Sequence, residues 1–188
     1  MALVHPDHKE VFPLCPEPIL KQDGEEKNDC ERNAAKRLIA DFRREHPHLK
    51  AIVTHDSLSS NGPYIKELRK YNLRYIIGVK EDGNKRLFDW IKGLKLEEIT
   101  EVIDGIEYTY RFANKIPLND SHQDLEVNFF ECFVNNPKKG KTYFSWITDI
   151  EVTKNNVREL VKGGRARWKI ESAPQAHKGK EYQLKLCA

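Results

Sequence analysis

The residues of this chain best suited to chemistry are Asp56, Arg167, Glu171 and Lys178. At 100° per residue on a helix, Arg167, Glu171 and Lys178 fall within about 40° of one another, which sets a carboxylate between two cations on one face. A metal-binding acid flanked by phosphate-holding bases has this pattern. Asp56 follows the short apolar run Ala51-Ile52-Val53-Thr54, where a buried strand would end and open to solvent. Two acids far apart in sequence, delivered by a strand end and a helix, suit two-metal phosphodiester chemistry. Plainer readings stand beside these: Asp56 as a turn or N-cap aspartate, and Arg167 with Glu171 as an i, i+4 ion pair.

The elements that must position these residues follow from apolar spacing. Ala2 to His5 and Glu10 to Leu14 read as a hairpin around Pro6-Asp7-His8-Lys9. Asn28 to His46 reads as a helix with a capping-box start, an apolar stripe of Ala34, Ala35, Leu38, Ile39 and Phe42, and a stop at Pro47. The strand before Asp56, a helix opening at Pro63 and a buried strand from Leu73 to Val79 form a βαβ unit with parallel strands. That unit places Asp56 at the C-terminal edge of a parallel sheet, where α/β proteins bind ligands.

Leu87, Phe88, Trp90, Ile91 and Leu94 outline a short helix, and Asp104-Gly105 is a two-residue hairpin signal between two strands. A further strand through Phe133, a turn at Asn135-Asn136-Pro137-Lys138-Lys139-Gly140 and a return over Thr142 to Ile147 complete an antiparallel segment from about Leu96 to Ile150. Past Thr153, the residues Val157, Leu160, Val161, Gly164, Trp168 and Glu171 recur at helical spacing, which predicts one helix with Trp168 in the core. Gly163-Gly164 reads either as a hinge or as a poor stretch of that helix.

With 188 residues the chain can bury a core of ordinary size. Its 32% charged content and mean hydropathy of -0.70 describe a water-compatible surface. No run approaches a membrane span and Met1 to Pro6 lacks a signal-peptide pattern, so a cytoplasmic protein without membrane partners is expected. Cys15, Cys30, Cys132 and Cys187 have no CxxC spacing and read as free thiols. His5 and His8 have a metal-compatible spacing but read as solvated turn residues. The net charge of +3 is unevenly divided: from Lys138 onward 12 Lys/Arg face 5 Asp/Glu, while the preceding part holds 20 bases and 24 acids. The C-terminal part is therefore expected to meet a polyanion.

Three stretches carry a resemblance to DDE transposases of the bacterial insertion-sequence type. They are Asp29-Cys30-Glu31-Arg32-Asn33-Ala34-Ala35-Lys36-Arg37, then Thr54-His55-Asp56-Ser57-Leu58-Ser59-Ser60-Asn61, and finally Trp146-Ile147-Thr148-Asp149-Ile150 leading to Arg165-Ala166-Arg167-Trp168-Lys169-Ile170-Glu171. The family signature is a tyrosine, an arginine three residues on, a glutamate four further and a lysine seven beyond. Arg167, Glu171 and Lys178 match it, with Gly164 in the tyrosine's place.

The resemblance implies a ribonuclease H-like α/β fold, a mixed sheet with flanking helices interrupted by an antiparallel β insertion. Its parts would be 1–95, the insertion 96–150 and a helical part 151–188. It makes Asp56 the second and Glu171 the third catalytic acid, both holding Mg²⁺ or Mn²⁺. Arg167 and Lys178 would hold DNA phosphates, with Arg165 beside them. The family's first aspartate lies on a strand upstream of the hairpin; Asp7 and Asp23 lack the apolar strand that would make either its equivalent, and Pro174 should end the helix after Glu171. The expected function is a transposase catalytic-domain fragment, inactive alone, that acts on DNA element ends in the nucleoid with full-length transposase or a second copy as partner. The alternative is a non-catalytic DNA-binding remnant or regulator.

Overall fold

The computed structural model describes residues 1–14, 16–19 and 27–172. These residues divide into two units, one of Met1–Leu49 together with the chain from Arg165, the other of Lys50–Gly164.

In the first unit, β1 (Ala2–Val4) and β2 (Val11–Pro13) pair antiparallel, with Leu3 opposite Phe12. Helix α1 (Lys27–Glu45) follows, and Ala34, Ile39 and Phe42 of its apolar stripe are buried. The chain just past its end is held by a side chain: the Arg43 guanidinium donates to the carbonyls of His46, Pro47 and Leu49. Helix α5 (Trp168–Ser172) is tied to the hairpin by Lys169, whose ammonium donates to the carbonyls of His5, Pro6 and His8 at 2.6–2.8 Å. The His5 and His8 rings lie 4.5 Å apart, tilted by 57° to each other.

The second unit is mixed α/β. Its strands are β3 (Ile52–His55), β4 (Arg74–Gly78), β5 (Glu97–Ile103), β6 (Ile106–Pro117), β7 (Glu126–Asn136) and β8 (Gly140–Thr148). They form one six-stranded sheet of order β3-β4-β8-β7-β6-β5, in which β3 and β4 are parallel and every other pair is antiparallel. Such a mixed sheet flanked by helices is compatible with a ribonuclease H-like α/β fold. Strands β5 to β8 prolong the β3-β4 pair through β8, so the antiparallel segment and the parallel pair share one sheet.

Local chemistry explains the joints. Helix α2 (Gly62–Lys70) is the crossover between β3 and β4; Asn61 caps its start by accepting from the Tyr64 amide. Asn72, in the left-handed region at φ 51°, ends it, with the Leu73 amide bonded back to the Leu68 carbonyl. The β5-β6 turn places Asp104 and Gly105 at φ 52° and 75°, the mirror-image turn that matches strand twist. Asn114 and Lys115 form a bulge in β6, and the Asn114 side chain both accepts from and donates to the Val152 backbone, fixing the segment that leaves β8.

Helix α4 (Val157–Ala166) covers one sheet face, where Val157, Leu160 and Val161 pack with Ile76, Tyr110, Phe112, Phe130, Cys132 and Trp146. Cys132 is a buried free thiol, as its place in an apolar strand predicts. Helix α3 (Lys85–Gly93) covers part of the opposite face, its Phe88 ring edge-on to Phe129.

Gly163 and Gly164 are contact residues. A Cβ at Gly164 would lie 2.6 Å from Trp146 Nε1, and one at Gly163 would lie 3.1 Å from Ile76 Cδ1. Gly164→Ala should therefore lower stability by about 1–3 kcal/mol in a urea titration, because a rigid indole must move. Gly163→Ala meets only the end of a flexible side chain and should cost less.

The Tyr75 hydroxyl is buried with no hydrogen-bond partner among the described residues, and burial pushes its pKa up to about 12 from 10.0. Above pH 10 the unfolded chain releases this proton while the folded chain retains it, so stability falls as pH rises from 10 towards 12. Tyr75→Phe should be neutral to about 1 kcal/mol stabilising at neutral pH and should flatten that alkaline loss in thermal-melt midpoints.

Candidate functional site

Parallel pairing of β3 with β4 puts Asp56 just beyond the strand's C-terminal end, as the apolar run predicts, but β3 is an edge strand and not a buried one: none of its residues is buried and Ile52 is exposed. There Asp56 caps a short turn over Ser57–Ser59, its Oδ1 accepting from the Leu58 amide at 3.1 Å. Its Oδ2 accepts no hydrogen bond from any described residue. The turn is held from both sides: Ser60 Oγ donates to the Ser57 carbonyl at 2.7 Å and pairs with the Asn84 side chain at the start of α3.

His55 braces the same loop. Its Nδ1 lies 3.0 Å from Ser59 Oγ and its Nε2 lies 2.7 Å from the hydroxyl of buried Tyr64. Burial raises the Tyr64 phenol well above its ordinary range, so it keeps its proton and can donate to Nε2. The tautomer with its proton on Nδ1 satisfies both contacts at once. Asp56 is thus a capping aspartate, with one oxygen that no described residue hydrogen-bonds, at a strand end whose shape is fixed by its neighbours.

The C-terminal residues are arranged differently from expectation. The single helix predicted through Glu171 is two helices: α4 ends at Ala166, Arg167 is a turn residue, and a new turn begins with the Ile170 amide bonded to the Arg167 carbonyl. The continuous helix on which Arg167 and Glu171 were expected to share a face is broken at Arg167. For the same reason Trp168, seven residues after buried Val161, is 56% exposed and not in the core; the Arg167 guanidinium lies 5.9 Å from its ring. Arg165 is exposed on the last turn of α4. Glu171 lies in α5, in the unit that does not contain Asp56. Lys178 and Pro174 lie outside the described residues, as do Cys15, Asp23 and Cys187. Among the described residues no group of three or more His, Cys, Asp or Glu side chains is placed to hold a metal ion.

A second constellation was missed by sequence reasoning. Across β5, β6, β7 and β8, the register aligns Glu98, Arg111, Glu131 and Ser145, and the next row aligns Thr100, Thr109, Phe133 and Tyr143. Glu131 is 3% exposed and is paired with Arg111, whose Nε donates to Oε1 at 2.6 Å; the Tyr143 hydroxyl donates to Oε2 at 2.7 Å. Burial, then the adjacent Glu131 carboxylate, pushes the Tyr143 phenol upward, while Ser145 and Arg111 pull the other way. A cavity of about 450 Å³ opens between this row and α3, with Phe88, Ile91 and Leu94 on its helical wall. The signal available in sequence was a lone carboxylate in the apolar run Val127-Asn128-Phe129-Phe130-Glu131-Cys132-Phe133.

No family model and no curated protein matches the chain. No helix among the described residues is long and apolar enough to cross a membrane.

Arg111→Leu should strip the buried Glu131 carboxylate of its cation and destabilise by about 3 kcal/mol, read from urea unfolding. The double change Arg111→Leu with Glu131→Leu should recover a large part of that loss, since the desolvated Glu131 charge then disappears with its partner.

Proposed function

We propose that the chain is a DDE-type catalytic domain of transposition, acting on DNA by metal-dependent phosphodiester chemistry. The observation that carries this reading is Asp56: an acid at the C-terminal end of a parallel strand, braced by its own turn, with a carboxylate oxygen left for a ligand. A carboxylate is the donor type that Mg²⁺ or Mn²⁺ takes, so Asp56 fits such an ion. The resemblance assigns Glu171 as the other acid available in this chain. When bound, a pair of such ions supplies activation of the attacking water or hydroxyl and neutralisation of the leaving oxygen.

The chain's own contribution is positional. The Leu58 amide fixes the rotation of the Asp56 carboxylate, and His55, Ser59 and Tyr64 hold the strand end that carries it. Arg165 and Arg167 are the described cations that the resemblance sets against phosphates. Because only two of the family's three acids have matches here, the chain alone should cut DNA little or not at all in Mg²⁺ or Mn²⁺.

A second reading is DNA binding without chemistry, favoured by the exposed Lys138, Lys139 and Lys141 around the β7-β8 turn. Mn²⁺ binding by electron paramagnetic resonance distinguishes the two. Under the catalytic-domain reading, Asp56→Asn and Glu171→Gln should each weaken Mn²⁺ binding about tenfold or more. Under the second, both variants bind Mn²⁺ and DNA as the parent does, and DNA affinity responds only to salt. Robust nicking by the chain alone, abolished by Asp56→Ala, would show that the expectation of inactivity is wrong.

A further inference from the structure

We propose that β5 is a self-association edge: two copies of this chain pair their β5 strands antiparallel, centred on Thr100, into one continuous sheet. The interface needs no ligand and stands apart from the proposed function.

Strand β5 ends the six-stranded sheet, and among the described residues no strand lies outside it. Its 7 residues, Glu97–Ile103, run against β6 without a register shift and hold no proline, lysine or bulge, the devices that commonly blunt a sheet edge. Val102 on it is 68% exposed. The other edge strand, β3, has 4 residues and offers a shorter ladder.

The turn decides which backbone groups of β5 face outward. Ile103 and Ile106 flank a two-residue turn, so they form the pair that exchanges both backbone bonds, and the bonded pairs then alternate along the hairpin through Glu101, Ile99 and Glu97. The amides and carbonyls of Glu98, Thr100 and Val102 are thereby turned to the open side. An antiparallel partner must meet these three with outward residues of its own. A second β5 does so completely in one register, in which Thr100 faces Thr100 while Glu98 of each copy faces Val102 of the other, with two backbone bonds for each pair.

Charge selects the same register. With Thr100 at the centre, Glu97 opposes Ile103, Glu98 opposes Val102 and Glu101 opposes Ile99, so no glutamate stands across from another. Moving the centre one residue either way sets Glu97 against Glu101 or Glu101 against itself, and leaves one outward residue without a mate. Like charges directly opposite are destabilising. Glu101 is further held within its own chain, accepting from the Tyr110 hydroxyl at 2.8 Å with Arg158 at 3.7 Å. A ladder of this length buries less than a standard interface, so the dimer is reversible and grows with concentration.

The test is sedimentation velocity of the full chain over a concentration series, without DNA and in EDTA, together with amide hydrogen exchange by NMR. A monomer–dimer equilibrium is expected, in which the Glu98, Thr100 and Val102 amides exchange rapidly at low concentration and gain protection as dimer forms. Thr100→Pro removes an outward donor and no β5-β6 bond, so it should weaken the dimer about tenfold or more with the fold retained. Should it fail to fold, exposed Val102 serves: relative to Val102→Gln, Val102→Glu should weaken the dimer about threefold and Val102→Lys should strengthen it, through Glu98 of the second copy. Adding Glu98→Lys should reverse that order. A chain monomeric up to about 1 mM, a dimer indifferent to Thr100→Pro and to charge at 102, or protection confined to other amides would overturn the proposal. Asp56→Asn should leave the equilibrium unchanged, so failure here is separable from failure of the Mn²⁺ experiment.

Discussion

The antiparallel seam between β4 and β8 is the interaction on which the sheet depends. On one side of it stands the parallel βαβ unit that carries Asp56, on the other the four-stranded meander that carries the Arg111-Glu131-Tyr143 row. Only Ile76, Ile77 and Gly78 register with β8, so the seam is short. Side chains extend it. Buried Thr148 donates its hydroxyl to the Tyr75 carbonyl at 2.6 Å, Ser145 donates to the Val79 carbonyl at 2.9 Å, and the Asp149 carboxylate accepts from the Tyr75 amide at 3.0 Å while paired with Arg74. These bonds satisfy backbone groups that the few ladder pairs leave open, and each lies in an environment where an unpaired polar group is costly.

The same seam makes the two faces of the sheet unequal. Trp146 stacks on Phe130 and Phe144 beneath α4, giving that face a continuous apolar core. On the opposite face α3 covers Phe129, and beyond it the sheet carries a compensated buried carboxylate and two exposed rings. A buried ion pair of this kind contributes little net stability, but it fixes the orientation of Arg111 and Tyr143. The cost of leaving either partner alone makes that orientation rigid.

Much of this was legible because it is local. Asp104-Gly105 specifies its turn through two positive φ angles, Asn61 and Pro63 mark the start of α2, and the apolar runs at 51–54 and 73–79 fix the parallel pair. Asp56 at a strand end was likewise readable, since it needs only the end of a run and a capping residue. What was not legible is non-local or unsignalled. No glycine or proline marks the break at Arg167, so periodicity carried Trp168 into the core where the structure leaves it exposed. The pairing of β8 with β4 spans some seventy positions that no short pattern encodes. The significance of Glu131 required the register of four strands, which places Arg111 and Tyr143 around it.

The close approach of α4 to Trp146 also constrains the paths open to this sequence in evolution. A side chain at position 164 and an indole at position 146 compete for the same few ångströms, and the chain holds a glycine in one place and the largest residue in the other. Placing a tyrosine at 164 would first require shrinking Trp146, a change that by itself opens a void in the core. Either single step is disfavoured until the other has occurred. The two positions are therefore expected to vary together across related sequences, as a contingent pair whose order of substitution matters.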